Sequence, residues 1–201
     1  MSLKAVGLNC TLKASPSPSS TQKLLDEVLD ALKGRGVETT SIRLADHDIK
    51  PGVTADEGEG DAWPDIRRQI YDAHILIVGT PIWMGQPSSV VKRAMERLDA
   101  VFDEAQDDGR YPTYGKVAGV VVVGNEDGAH HVSAELYQAL ADVGFTIPAG
   151  SSAYWVGEAM GSKNYIDLPK TPEKVNETVQ TLARHCFHLA GLLDRHPYPA
   201  P

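Results

Sequence analysis

The run Val117-Ala118-Gly119-Val120-Val121-Val122-Val123 constrains this chain more than any other stretch. It is short and apolar at every position, so it reads as a strand covered on both faces, the situation of a central strand in a parallel sheet. Four more short runs, Leu3–Asn9, Val37–Leu44, Ile75–Gly79 and Phe145–Pro148, alternate with longer stretches of helical periodicity. Leu24, Leu25, Val28, Leu29 and Leu32 form one apolar stripe, closed by Gly34 and Gly36. Ile66, Ile70 and Ala73 form a shorter one after Pro64, and Val90, Val91, Ala94, Leu98 and Val101 a third. Val132, Leu136, Leu140 and Val143 make a fourth; Val175, Val179, Leu182, Cys186, Leu189 and Leu193 make the last. Strands that alternate with helices imply βαβ units, and so an α/β, three-layer, doubly wound parallel sheet of five strands.

The 201 residues suit one domain, taken as residues 1–201. A formal charge of −8 argues against a nucleic-acid or anionic-membrane partner, which would want a basic face. Cys10 and Cys186 have no metal or redox spacing, which argues against a disulfide scaffold, an iron–sulfur cluster or a Cys-x-x-Cys centre. The first residues enter a strand pattern directly and no apolar run reaches membrane-spanning length, so a cytoplasmic setting is expected. The acidic, glycine-rich stretch Gly52–Gly60 reads as a mobile excursion, Asp103–Tyr114 as a polar loop, and Lys92, Arg93, Glu96 and Arg97 as a solvated helix face. Ala149–Pro172 is long for a connection; Tyr154, Trp155, Met160 and Tyr165 make it an ordered, contacting loop and a candidate wall or lid.

Open α/β sheets bind ligands at the carboxyl ends of their strands, which directs attention to three loops. After the first strand, Asn9 to Gln22 delivers hydroxyls and free amides to a helix N-terminus, a place that favours phosphate. Thr11, Ser19, Ser20 and Thr21 offer hydroxyls and Lys13 a charge, although Ser19 with Gln22 also spells a capping box. Neither a P-loop nor a G-x-G-x-x-G fingerprint is present. After the third strand, Thr80-Pro81-Ile82-Trp83-Met84-Gly85-Gln86-Pro87 is stiff and carries an aromatic, suited to the face of a flat ligand; Trp83 and Met84 suit a core or subunit contact equally. After the fourth, Asn125-Glu126-Asp127-Gly128-Ala129-His130 leads into a helix, and its glycine and amides suit the polar edge of such a ring. His130 and His131 are adjacent on a helix and make a poor chelating pair, so no metal is expected.

These loops point to a flavin mononucleotide site, and together they resemble the flavodoxin-like NAD(P)H-dependent FMN reductase family. The strongest part of the likeness is Gly79 to Lys92, similar to that family's ring-binding loop and the helix behind it. The resemblance implies a flavodoxin-like fold of strand order 2-1-3-4-5 and noncovalent FMN. It implies NAD(P)H as transient electron donor, a small-molecule acceptor such as a quinone or free flavin, and a ping-pong cycle. It also implies a homodimer or homotetramer. The cofactor-binding candidates are then Thr11, Lys13, Ser19, Ser20, Thr21, Pro81, Ile82, Trp83, Met84, Gly85, Asn125, Glu126, Asp127, Gly128 and His130, with no protein nucleophile. The rival within this fold is a flavodoxin-type electron carrier without nicotinamide activity.

Overall fold

The structure, a computed structural model, describes residues 2–200. In chain order its elements are β1 (Lys4–Asn9), α1 (Ser20–Lys33), β2 (Glu38–Arg43), α2 (Trp63–Asp72), β3 (Ile75–Trp83), β4 (Gln86–Pro87) and α3 (Ser89–Leu98). There follow β5 (Val117–Gly124), α4 (Ala129–Asp142), β6 (Ser152–Val156) and α5 (Glu173–Arg195). The sheet order is β2-β1-β3-β5-β6, all parallel, with the two-residue β4 folded back antiparallel on β3. Without β4, that is the flavodoxin-like order 2-1-3-4-5. No helix among the described residues is long and apolar enough to cross a membrane.

Alternation along each strand divides the interior into two cores, because successive side chains point to opposite faces. Val6 and Leu8 of β1 and Val120 and Val122 of β5 pack with α2, α3 and α4. Ala5, Ile77, Val121 and Val123 pack with α1 and α5 on the other face. Gly119 of β5 belongs to the second face, where a Cβ would lie 2.5 Å from Leu182 Cδ1. Its lack of a side chain is what lets α5 lie close. At the edge, β2 runs Glu-Thr-Thr-Ser-Ile-Arg, and of these only Ile42 is buried.

Three expectations need correcting. The fifth parallel strand is Ser152–Val156 and not Phe145–Pro148, where only Thr146 makes an isolated bridge to Val117. Pro148 lacks a donor and Gly150 turns at φ +63°, so pairing restarts beyond them. Tyr154 and Trp155 therefore sit in a strand instead of a lid. Next, β3 does not stop at Gly79 but continues through Pro81 to Trp83. Proline is tolerated there because β1 pairs no further than Gly79, which leaves β3 an edge strand on that side.

The third correction concerns Gly52–Gly60, which is held down by Arg97, a residue expected in solvent. Arg97 and Asp61 are both fully buried and form an ion pair at 2.7 Å. Arg97 also donates from Nη1 to the Lys50 carbonyl at 2.8 Å and from Nη2 to the Thr54 carbonyl at 3.1 Å, and it lies over the Trp63 ring. Asp61 accepts amide hydrogen bonds from Lys50, Glu57 and Trp63. Burial pushes the Asp61 carboxyl up, but the Arg97 guanidinium and those amides outweigh it and hold it well below the usual carboxylate range. A carboxylate depressed in the folded state stabilises fully above the unfolded value, near pH 4, and loses that contribution as acid approaches the folded value. Asp61→Asn leaves a buried, unpaired guanidinium, and urea denaturation at pH 7 should show a loss of about 3–5 kcal/mol. The deficit should narrow as the pH drops below about 4; a constant deficit would contradict this reading.

Candidate functional site

The carboxyl ends of β1, β3 and β5 bring the three loops together. At the first, Ser19 is the N-cap of α1 and its Oγ accepts from the Gln22 amide at 3.1 Å. The reciprocal half of a capping box is missing, because the Gln22 side-chain carbonyl accepts from Asn9 Nδ2 at 2.7 Å. Asn9, fully buried, also accepts the Thr11 amide on Oδ1 at 3.1 Å and so shapes the turn out of β1. Ser20 Oγ accepts from the Ile166 amide at 3.2 Å. The amides of Ser20 and Thr21, at the positive end of α1, have no acceptor among the described residues. Lys13 stands exposed and makes no ion pair among them. Orphaned amides, a free hydroxyl proton on Ser20 and an unpaired cation are the donor set a phosphate needs.

At the second loop, β3 and β4 form a hairpin whose two-residue turn is Met84-Gly85, at φ 52° and 72°. Positive φ at both central positions is the type I′ geometry that matches strand twist. Such a turn leaves both its amides pointing outward. Here Met84 donates to Glu126 Oε1 at 3.0 Å and Gly85 to Glu126 Oε2 at 3.1 Å. Glu126, expected at the edge of a ligand, thus has both oxygens engaged by the hairpin. Gly128 packs directly on Gly85: a Cβ there would come within 2.9 Å of the Gly85 backbone, and its φ of 130° suits glycine. Gln86 Nε2 lies 2.9 Å from His131 Nε2, and His131 lies 2.8 Å from Glu135. The second and third loops are one docked unit, from which Trp83 projects half-exposed.

The other candidates are held by partners within the chain or by the sheet. Asn125 directs its amide nitrogen to the Gly161 carbonyl at 3.1 Å. Asp127 accepts from the Gly128 amide at 2.8 Å. His130 makes an edge contact with Tyr154, Nε2 to hydroxyl at 3.1 Å. Pro81 and Ile82 are hairpin strand residues, with Ile82 buried. The segment beyond β6 is fastened to α1. Tyr165, buried, donates to Glu27 Oε2 at 2.6 Å, and Lys23 donates to the Tyr165 and Leu168 carbonyls. Burial and the adjoining Glu27 carboxylate push the Tyr165 hydroxyl up, so it stays a donor.

One residue joins the first two loops, and the candidate set above lacks it. Ser88, buried, caps α3 by accepting from the Val91 amide at 3.2 Å, and its own amide donates to Thr80 Oγ1 at 3.1 Å. Its hydroxyl donates to the Cys10 carbonyl at 2.7 Å. A serine just before a helical stripe is a legible cap; its bond to β1 is not. Ser88→Ala removes the cap and strands a buried carbonyl, and thermal or urea denaturation should report a loss of about 2 kcal/mol. The Glu126 clamp predicts slow amide exchange at Met84 and Gly85. In Glu126→Gln, which has only one carbonyl oxygen to offer two donors, exchange there should accelerate roughly tenfold or more. Unchanged exchange would dismiss the clamp.

Comparison with known proteins follows from this geometry. Residues 3–161 match the model of the NADPH-dependent FMN reductase family. Over 208 residues the chain is 34% identical to 8-demethyl-8-aminoriboflavin-5'-phosphate synthase of Streptomyces davaonensis, covering 98% of this chain and 81% of that protein. It superimposes with a TM-score of 0.90, at 35% identity, on the crystal structure of RosB with the bound intermediate 8-demethyl-8-formylriboflavin-5'-phosphate, covering 98% of this chain and 82% of that one. It is also 40% identical over 198 residues to a protein of Mycobacterium bovis named divalent metal cation transporter MntH. That match takes in 95% of this chain but spans only 29% of the longer relative. The chain belongs to the NADPH-dependent FMN reductase family, which works with FMN and a nicotinamide electron donor.

Proposed function

We propose that this chain is an FMN-dependent NAD(P)H oxidoreductase that passes two electrons, in a ping-pong cycle, to a quinone, a flavin or a similar small acceptor. The observation that carries the reading is the clamped hairpin: Trp83, half-exposed, leads into a turn fixed by Glu126, at the same carboxyl edge of the sheet that meets the unengaged amides of α1. The amides of Ser20 and Thr21, the Ser20 and Thr11 hydroxyls and the Lys13 ammonium would hold the phosphate. Trp83 and Met84 would bound one face of the ring, with the 125–128 backbone at its polar edge. Held there, FMN would supply hydride acceptance from the nicotinamide and two-electron delivery to the acceptor. The chain's own task is to fix the ring with one face open and to keep donors where negative charge accumulates on reduction. The site residues supply no nucleophile, and none is needed.

A second reading has an observation of its own. The 34%-identical relative is named a synthase of an aminated flavin phosphate, and the RosB crystal structure holds a modified flavin phosphate. In that reading flavin phosphate is the substrate and leaves altered.

One experiment separates the readings. Purified protein is loaded with FMN; one portion is treated with NADPH and then with menadione and followed by absorbance, and a second is held in air with a mixture of amino acids as nitrogen source before the mass of its flavin is measured. Bleaching by NADPH, recovery on menadione and a flavin of unchanged mass are the expected result. Persistent colour under NADPH would instead indicate an electron carrier, and a flavin of altered mass the synthase reading. Failure to bind FMN at micromolar concentration would end both.

A further inference from the structure

Among the described residues only two that are not glycine hold a positive φ, Met84 at 52° and Met160 at 60°. Both are methionines, and they are also the most exposed large apolar side chains there, at 88% and 94%. A left-handed backbone costs a residue with a Cβ about 1–2 kcal/mol, and an exposed thioether recovers nothing by burial. Glycine or asparagine would make either turn more easily. Folding therefore gives no reason for methionine at either point, and strain of this kind collects where a side chain has to be presented.

Their placement is shared as well. The Met84 amide is held by Glu126 Oε1 at 3.0 Å and the Met160 amide by the Asn125 carbonyl at 2.9 Å. Asn125 tightens the second grip by donating to the Gly161 carbonyl. Consecutive residues at the end of β5 thus hold one methionine on the β3 side and the other on the β6 side. Between them the polar side chains are engaged: Asn125 on Gly161, Glu126 on the hairpin amides, Asp127 on the Gly128 amide. What the mouth offers is two polarizable thioethers and the exposed part of Trp83, a surface for a flat, uncharged, apolar molecule.

We propose that Met84 and Met160 are the specificity-determining lips of the acceptor site, closing on a planar, uncharged aromatic acceptor of the naphthoquinone type. The proposal rests on the reductase reading, in which NADPH, a proton and the quinone give NADP⁺ and the quinol. Both oxygens of the quinone end protonated, and the two electrons come from the nicotinamide.

The test uses FMN-loaded protein labelled with ¹³C at the methionine methyl groups. Titration with menadione should shift the Met84 and Met160 resonances and leave that of buried Met95 in place. In steady-state assays Met84→Gln and Met160→Gln should each raise the menadione KM roughly five- to tenfold. Met84→Leu and Met160→Leu, which restore a flexible apolar side chain of similar volume, should bring the menadione KM back to within about twofold of wild type. Unmoved methyl resonances, or an unchanged menadione KM in the double variant, would overturn the proposal. So would methyl shifts that track protein concentration without menadione, since a second copy of the chain would then be the occupant. If the wild-type protein oxidised no NADPH, the reductase reading would fall, while the methyl titration would still decide whether the pair binds the quinone.

Discussion

Parallel pairing is the constraint from which the rest of this molecule follows. Neighbouring parallel strands cannot be joined by a tight turn, so each connection has to cross the sheet on a helix. The crossovers bury β5 on both faces and return β1, β3, β5 and β6 to one edge with their carboxyl ends together. That edge meets the amino ends of α1, α3 and α4. Each brings unsatisfied amides, and the chain answers them in three ways: Ser88 caps α3, Ser19 caps α1 in part, and Gly128 opens α4 against the hairpin. Where the answer is incomplete, at Ser20 and Thr21, the fold leaves a place for an anion.

The carboxylates of this chain show why charge alone says little about role. Glu126 binds two backbone amides, Asp61 binds three amides and a guanidinium, and Glu27 accepts from a tyrosine and a threonine. Each joins segments far apart in the chain, and each is a charge-assisted contact stronger than a neutral hydrogen bond. The segments they hold border the sheet edge or reach it. Three of the 27 acidic side chains thus serve as mortar between loops.

What was legible in the sequence and what was not divides along the same line. Unbroken apolar runs and stripes of helical period are local, and they show β1, β2, most of β3, β5 and the helices directly. The loop after the third strand and the two loops beside it could be named because proline, glycine and tryptophan at a strand end carry a local meaning; that the first of them is a hairpin could not. Phe145–Pro148 follows directly on the fourth helix, where a βαβ unit would put its strand, and what decides for Ser152–Val156 is where pairing with β5 can resume after Gly150. Arg97 looked solvated because it is charged, although it lies three residues after Ala94 and four before Val101 on the buried side of its stripe. Its partner sits in another loop, and no periodicity announces such a pair. Likewise Glu126 reads as a ligand-facing residue until the hairpin amides it holds are seen, and Met160 is silent until its backbone and exposure are known.

The polar β2 strand bears on how copies of this molecule can meet. An outer strand offers a row of free amides and carbonyls to any passing strand, which is the usual start of aggregation. Glu38, Thr39, Thr40, Ser41 and Arg43 line that strand with charge and hydroxyls, and only Ile42 turns inward. A neighbouring chain adding itself there would have little apolar surface to cover and charged ends to desolvate. On this side the sheet discourages strand-to-strand contact between molecules.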